Sequence, residues 1–330
     1  MGKEYCNVLA IQRGLDPAGH ADHFDDAIVL ETPLPWKSEL YEVAGALPQE
    51  MIDLHACWLE RYRAGQPYNH RSLFIAPDPE YSHKGYRRVL FYTRAKDAFA
   101  QFNKVEYLAP EEKLGALVWA LYEARHRLGQ FECYRTPEMD DVRDILVCTH
   151  GTVDVACAKF GYPLYRHLRD AYASDRLRVW RVSHFGGHVF APTLMDMPTA
   201  HYWAYVEEAQ ARQIIERQGD VTALRGHYRG WSGLDYGPLQ VAERDLWQRE
   251  GWAWFDYPKC GEVLAQDTTV EEPSWAEVSV TYTTPTGTEG SYTARVAVTH
   301  HIATRSATEQ EKSYAYPQYG VTVLPSPTQS

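Results

Sequence analysis

The sequence predicts an α/β fold: two similar units, each a mixed sheet with helices on it, then an extension of one helix and a β-hairpin. Three observations carry this. Short apolar runs alternate with segments of helical spacing through the first two thirds of the chain. The same order of elements occurs there twice. The last third changes to a Gly-rich stretch followed by residues that alternate apolar and polar.

In the first unit, residues 27–32 (AIVLET) form an apolar run that stops at Pro33 and read as a strand. Residues 48–64 place Met51, Leu54, Cys57, Trp58 and Tyr62 at helical spacing. Residues 71–76 read as a strand, and 78–85 as a turn-rich loop. Residues 87–93 and 104–108 are two further strands. A helix is expected over 109–129, with Pro110 early and Glu111 and Glu112 in the first turn, where the helix dipole favours them.

The second unit repeats the order. Residues 144–149 (DILVCT) are a strand, 154–173 a helix that Pro163 is expected to interrupt, and 177–183 (LRVWRVS) a strand. A glycine loop follows, then strands over 189–195 and 201–206 and a helix over 207–217. This β-α-β-loop-β-β-α order is the thioredoxin-like arrangement. The expected domains are therefore 1–138 and 139–220 as tandem thioredoxin-like units, and 221–330 as the extension. In the extension an amphipathic helix follows Gly226, Gly230, Gly233 and Gly237. Residues 276–282 and 291–299 flank a turn as a hairpin, 319–324 could add a strand, and 325–330 read as a frayed tail.

Composition excludes several classes. The 330 residues carry 33 Lys and Arg against 44 Asp and Glu, a formal charge of −11. That balance argues against nucleic acid and anionic lipid as partners. Hydrophobic residues at 45% and charged residues at 23% exclude disordered and fibrous classes. Six Cys are too sparse for a disulfide framework. The first residues show no signal-peptide pattern, and Cys6 stands where a myristoylation signal on Gly2 needs Ser or Thr. No apolar run is long enough to span a bilayer. These features imply a cytoplasmic protein with reduced thiols.

Chemistry concentrates in one window. Cys148 and Cys157 are nine residues apart, and His184 and His188, about thirty residues later, are four apart. Cys148 ends one expected strand, Cys157 begins the next helix, and His184 ends the next strand of the same right-handed βαβ unit. All four fall at one sheet edge, where open α/β folds place their sites. Gly186 and Gly187 remove bulk between the two His. Two thiolates and two imidazoles suit zinc or an iron–sulfur cluster. His150 lies close enough to hydrogen-bond near the site, although a plain loop position accounts for it equally well. Cys6, Cys57, Cys133 and Cys260 are scattered, and His300–His301 read as a surface pair. Trp231, Trp247, Trp252 and Trp254 read as core aromatics.

The segments CTHGTVDVACAKFGYPL and VWRVSHFGGHVFAPT resemble the hallmark stretches of the sucrase/ferredoxin-like family, whose fold is that of thioredoxin-like ferredoxins and which includes the yeast actin-patch-distal protein. The resemblance is strongest over about residues 145–206 and extends over about residues 6–250. It implies a [2Fe–2S] cluster held by Cys148, Cys157, His184 and His188, in a branch where a His-x-x-x-His pair replaces two Cys. It implies electron transfer with an unknown redox partner rather than hydrolysis, and no sucrase activity. Neutral imidazoles in place of thiolates raise the potential, and their second nitrogens couple reduction to proton uptake. The alternatives are a structural zinc ion on the same residues or a metal-free interaction module. The Cys spacing does not match the short knuckles common in zinc sites.

Overall fold

The computed structural model describes residues 4–325, so the tail expected beyond Pro325 and the residues before Glu4 lie outside the description. Nine strands form one continuous sheet: β1 (Asp26–Glu31), β2 (His70–Ile75), β3 (Tyr86–Thr93), β4 (Asn103–Pro110), β5 (Arg143–Cys148), β6 (Leu177–Val182), β7 (Leu194–Met197), β8 (His201–Trp203) and β9 (Tyr228–Trp231). Their spatial order is β4-β3-β1-β2-β6-β5-β7-β8-β9.

The repeat expected from element order is present in the pairing. β1 is parallel to β2 and antiparallel to β3, which pairs antiparallel with β4. β5 is likewise parallel to β6 and antiparallel to β7, which pairs with β8. The halves share one sheet because β2 meets β6 antiparallel, with Ile75 opposite Val182. Ser183 N–H donates to Phe74 O at 2.8 Å and Ala76 N–H to Arg181 O at 3.0 Å, which closes the seam. β9 adds a strand beyond the repeat.

Helices cover the sheet. They are α1 (Cys6–Gln12), α2 (Gln49–Arg63), α3 (Leu114–Tyr122), α4 (Val155–Tyr172), α5 (Glu208–Glu216) and α6 (Gly237–Glu250). α2 and α3 bury Met51, Leu54, Trp58, Leu117 and Val118 against the first half of the sheet. Each such side chain contributes roughly 1.5–3 kcal/mol. α4 lies on β5 and β6.

Several boundaries differ from the sequence reading. The helix expected over 109–129 begins only at Leu114, because Ala109 and Pro110 stay paired in β4 opposite Arg87 and Tyr86. It ends at Tyr122, and a 3₁₀ segment runs from Arg125 to Tyr134. α4 passes through Pro163 without a break. The strand expected over 189–195 is a 3₁₀ turn at His188–Phe190, and the strand proper starts at Leu194, past Pro192. The strand expected over 201–206 stops at Trp203. α1 had no counterpart in the sequence reading.

The C-terminal hairpin is the centre of a second, four-stranded antiparallel sheet, ordered β10 (Lys259–Gln266), β11 (Trp275–Thr283), β12 (Glu289–Arg305) and β13 (Ser313–Val323). Lys259 anchors it. Its ammonium is fully buried over the rings of Trp231 and Trp254 and donates to the carbonyls of Trp254 and Tyr257. Burial pushes its pKa down to about 8. No helix among the described residues is long and apolar enough to cross a membrane.

Candidate metal centre

Cys148 is the last residue of β5, opposite Val182 at the end of parallel β6. His184 follows two residues later, so a strand end and a loop meet at one edge. Cys157 lies in the first turn of α4. Asp154 caps that helix by accepting from Ala156 N–H at 2.8 Å, which orients the turn. The helix can approach Cys148 because Gly161 faces it: a Cβ there would lie 2.0 Å from the Cys148 carbonyl oxygen.

The structure brings three of the four sequence candidates together. Nδ1 of His184 is 3.8 Å from the Sγ of Cys148 and 3.8 Å from the Sγ of Cys157. The three ligand atoms lie within 4.8 Å of one another. Both thiols are buried and His184 is half-buried. His188 falls outside that trio but beside it, its ring stacked on that of His184 with centroids 5.3 Å apart.

The Cys157 thiol donates to Cys148, which holds Cys148 well below the usual thiol range, while Cys157 is held well above it. All six Cys are free.

The tautomer of His188 follows from its partner. Nε2 meets the backbone carbonyl of Ser306, which only accepts, so Nε2 carries the proton. Nδ1 is then a lone pair, and it is buried without a partner. Burial, followed by the neighbouring His184, lowers the pKa of His188 and keeps the ring neutral. A buried, unpartnered lone pair beside two thiols and an imidazole is the donor set a soft or borderline metal needs.

His150 lies on the loop after β5, where it is buried rather than solvated and acts as a support. Its Nε2 donates to Lys37 O at 3.1 Å, and its Nδ1 accepts from His184 N–H at 3.1 Å. It thus holds the backbone of His184. Gly186 and Gly187 both have positive φ, +89° and +73°, as the loop between the two His requires.

Sequence reasoning missed four contributors. Thr308 donates from N–H to Asp154 Oδ2 and from Oγ1 to Asp154 Oδ1, both at 2.7 Å. Cys6 N–H donates to Thr308 Oγ1 at 3.2 Å, and the Cys6 thiol lies 3.7 Å from His188 O. Ser306 completes this group. Asp154 had a signal, a capping residue before an apolar run, whereas the others come from distant segments.

The sequence model of one family, described as sucrase/ferredoxin-like, matches residues 17–230. The chain belongs to the sucrase/ferredoxin-like family. The matched stretch of this family member holds both Cys, both His, His150 and the whole nine-stranded sheet apart from the last residue of β9. Cys6, Ser306 and Thr308 lie outside it. Comparisons with curated proteins and with solved structures returned no match. Of the remaining sequence candidates, His300 and His301 are exposed on β12, and Cys133 and Cys260 are exposed.

Proposed function

We propose that the chain is a one-electron transfer protein whose [2Fe–2S] cluster is held by Cys148, Cys157, His184 and His188. The carrying observation is the approach of both thiols to His184 Nδ1, with the unpartnered Nδ1 of His188 beside them. Four donors spread wider than the trio suit a centre of two irons better than a single ion. When bound, such a cluster takes up and returns one electron at a time.

The residues divide the work. Cys148 and Cys157 supply thiolates from the buried side. His184 and His188, both half-exposed, form the edge that a redox partner reaches. His150 fixes the loop behind His184, and Asp154 fixes the turn that carries Cys157. The reading includes proton-coupled reduction. If Nδ1 of each imidazole binds the centre, each Nε2 is left to hold a proton, that of His188 against the Ser306 carbonyl. A midpoint potential that does not change between about pH 6 and 9 counts against that part.

A second reading, a zinc ion, rests on the compactness of the trio. The 3.8 Å S···N separations are close to the roughly 3.6 Å edge expected around one ion with ordinary Zn–S and Zn–N bonds. Anaerobic purification decides. The cluster gives a red-brown protein with equal iron and acid-labile sulfide, bleached by dithionite. A colourless protein with one zinc per chain sinks the electron-transfer reading.

A further inference from the structure

Below the glycine loop that joins His184 to His188 sits Arg229, on β9 and 2% exposed. Its guanidinium donates to the carbonyls of Gly186, at 3.3 Å, and His20, at 2.6 Å. It lies over the rings of Phe190 and Tyr202, at 5.0 and 5.2 Å. Its Nε is buried with no partner. Among the described residues it forms no ion pair, whereas the comparably buried Arg88, Arg178 and Arg244 each hold a carboxylate. The nearby carboxylate, Asp22, is paired with Arg71 at 3.0 Å and offsets the burial of Arg229 only in part.

A buried cation that only shares a carboxylate is costly, so further negative charge beside it would stabilise it. The loop is shaped around this cation: a Cβ on Gly187 would lie 2.6 Å from Nη2 of Arg229. The guanidinium is thus one hydrogen bond away from the backbone between the two His. We propose that Arg229 is the built-in counter-cation of the metal centre and sets its potential. This rests on the electron-transfer reading above. Uptake of one electron, from dithionite in the test, turns one ferric iron ferrous and adds one negative charge. A fixed cation in a low-dielectric site favours the reduced form and lifts the potential.

The test compares Arg229→Gln and Arg229→Lys in the full chain, purified anaerobically, with iron and sulfide assayed before a mediated redox titration. Arg229→Met replaces the Gln variant should that chain not fold. The charge-removing variant is expected to keep the cluster but lower the reduced-to-oxidised ratio at fixed potential about tenfold, which is about 59 mV for one electron. Arg229→Lys is expected to stay within about twofold of the parent. Loss of iron from the neutral variant alone is the same effect carried to failure and supports the inference. An unchanged potential in a neutral variant that retains iron and sulfide overturns it, as does an equal fall in both variants, and the electron-transfer reading survives either result. Zinc in the parent chain overturns that reading and this inference with it.

Discussion

The backbone carbonyl of Ser306 accepts a hydrogen bond from Nε2 of His188, 118 residues earlier in the chain. Two residues on, Thr308 binds both carboxylate oxygens of Asp154, the cap of the helix that carries Cys157. One turn between β12 and β13 therefore holds both the imidazole arm and the thiol arm of the candidate centre. The C-terminal sheet is part of the site's support, although it lies outside the stretch matched by the family.

Thr308→Val removes the hydroxyl and strands a buried acceptor position on Asp154. The expected loss of stability is about 1–3 kcal/mol, with faster loss of bound metal to a chelator. Thr308→Ser keeps the hydroxyl and should behave as the parent does. Urea denaturation and chelator competition on both variants check this. Equal behaviour of Val and Ser would show that the turn does not act through this hydroxyl.

His184→Cys exchanges a neutral ligand for a thiolate at the atom closest to both Sγ atoms. If the proposed cluster is present, the substituted chain is expected to keep one with a lower midpoint potential, because added negative charge disfavours the reduced form. Redox titration with iron and sulfide analysis reads the outcome. A raised potential contradicts the assignment of His184 as a ligand.

Acid should weaken the protein through a buried ion-pair site on β5, four residues before Cys148. Asp144, fully buried, accepts from Arg178 Nε at 2.9 Å, Lys104 Nζ at 2.6 Å, Trp180 Nε1 at 2.8 Å and the Tyr92 hydroxyl at 2.9 Å. Burial alone would raise its carboxyl, but Arg178 and Lys104 outweigh burial and hold it well below the usual carboxylate range. A depressed carboxyl gives stability that is present above the unfolded value, about 3.9, and is lost as pH falls towards the folded value. The urea midpoint should therefore drop below about pH 5. Asp144→Asn should cost about 3–5 kcal/mol at neutral pH, by leaving Arg178 and Lys104 short of counter-charge. An acid profile identical in parent and variant would contradict this.

Much of the site was legible because its parts are local. Apolar runs that end at Cys148 and near His184, with a helix between them, place both residues at one edge of a βαβ unit. The supports were illegible for a physical reason. Ser306 acts through a backbone carbonyl, which no residue type signals. Thr308 reaches Asp154 across 154 residues. The merging of the halves into one sheet turns on a single opposed pair, Ile75 and Val182, and no periodicity encodes that meeting. α1 is only seven residues long, too short for helical spacing to register. His150 reads the same in sequence whether it is a solvated loop residue or, as found, a buried brace.

His201, outside the Cys148–Cys157–His184 group, gives a last test. It lies on β8, fully buried, stacked flat on Phe255 with centroids 3.7 Å apart and planes 9° from parallel. Neither ring nitrogen has a partner. Burial, then Lys259, Arg217 and Arg143, hold its pKa well below the usual value, so the folded chain keeps it neutral. The unfolded chain protonates it below about pH 6.5. The unfolded state then binds a proton that the folded state refuses, and stability must fall with falling pH. His201→Phe keeps the flat stack and removes this penalty. The variant should be at least as stable as the parent at pH ~8, since an N–H and a lone pair without partners cost about 1–3 kcal/mol. Between about pH 6 and 4.5 its stability should fall less steeply, by about 1.4 kcal/mol per pH unit. Denaturation curves across that range read the slope directly. Parallel slopes would mean that the His201 imidazole is protonated in the folded protein, with a charge partner that its buried position does not otherwise provide.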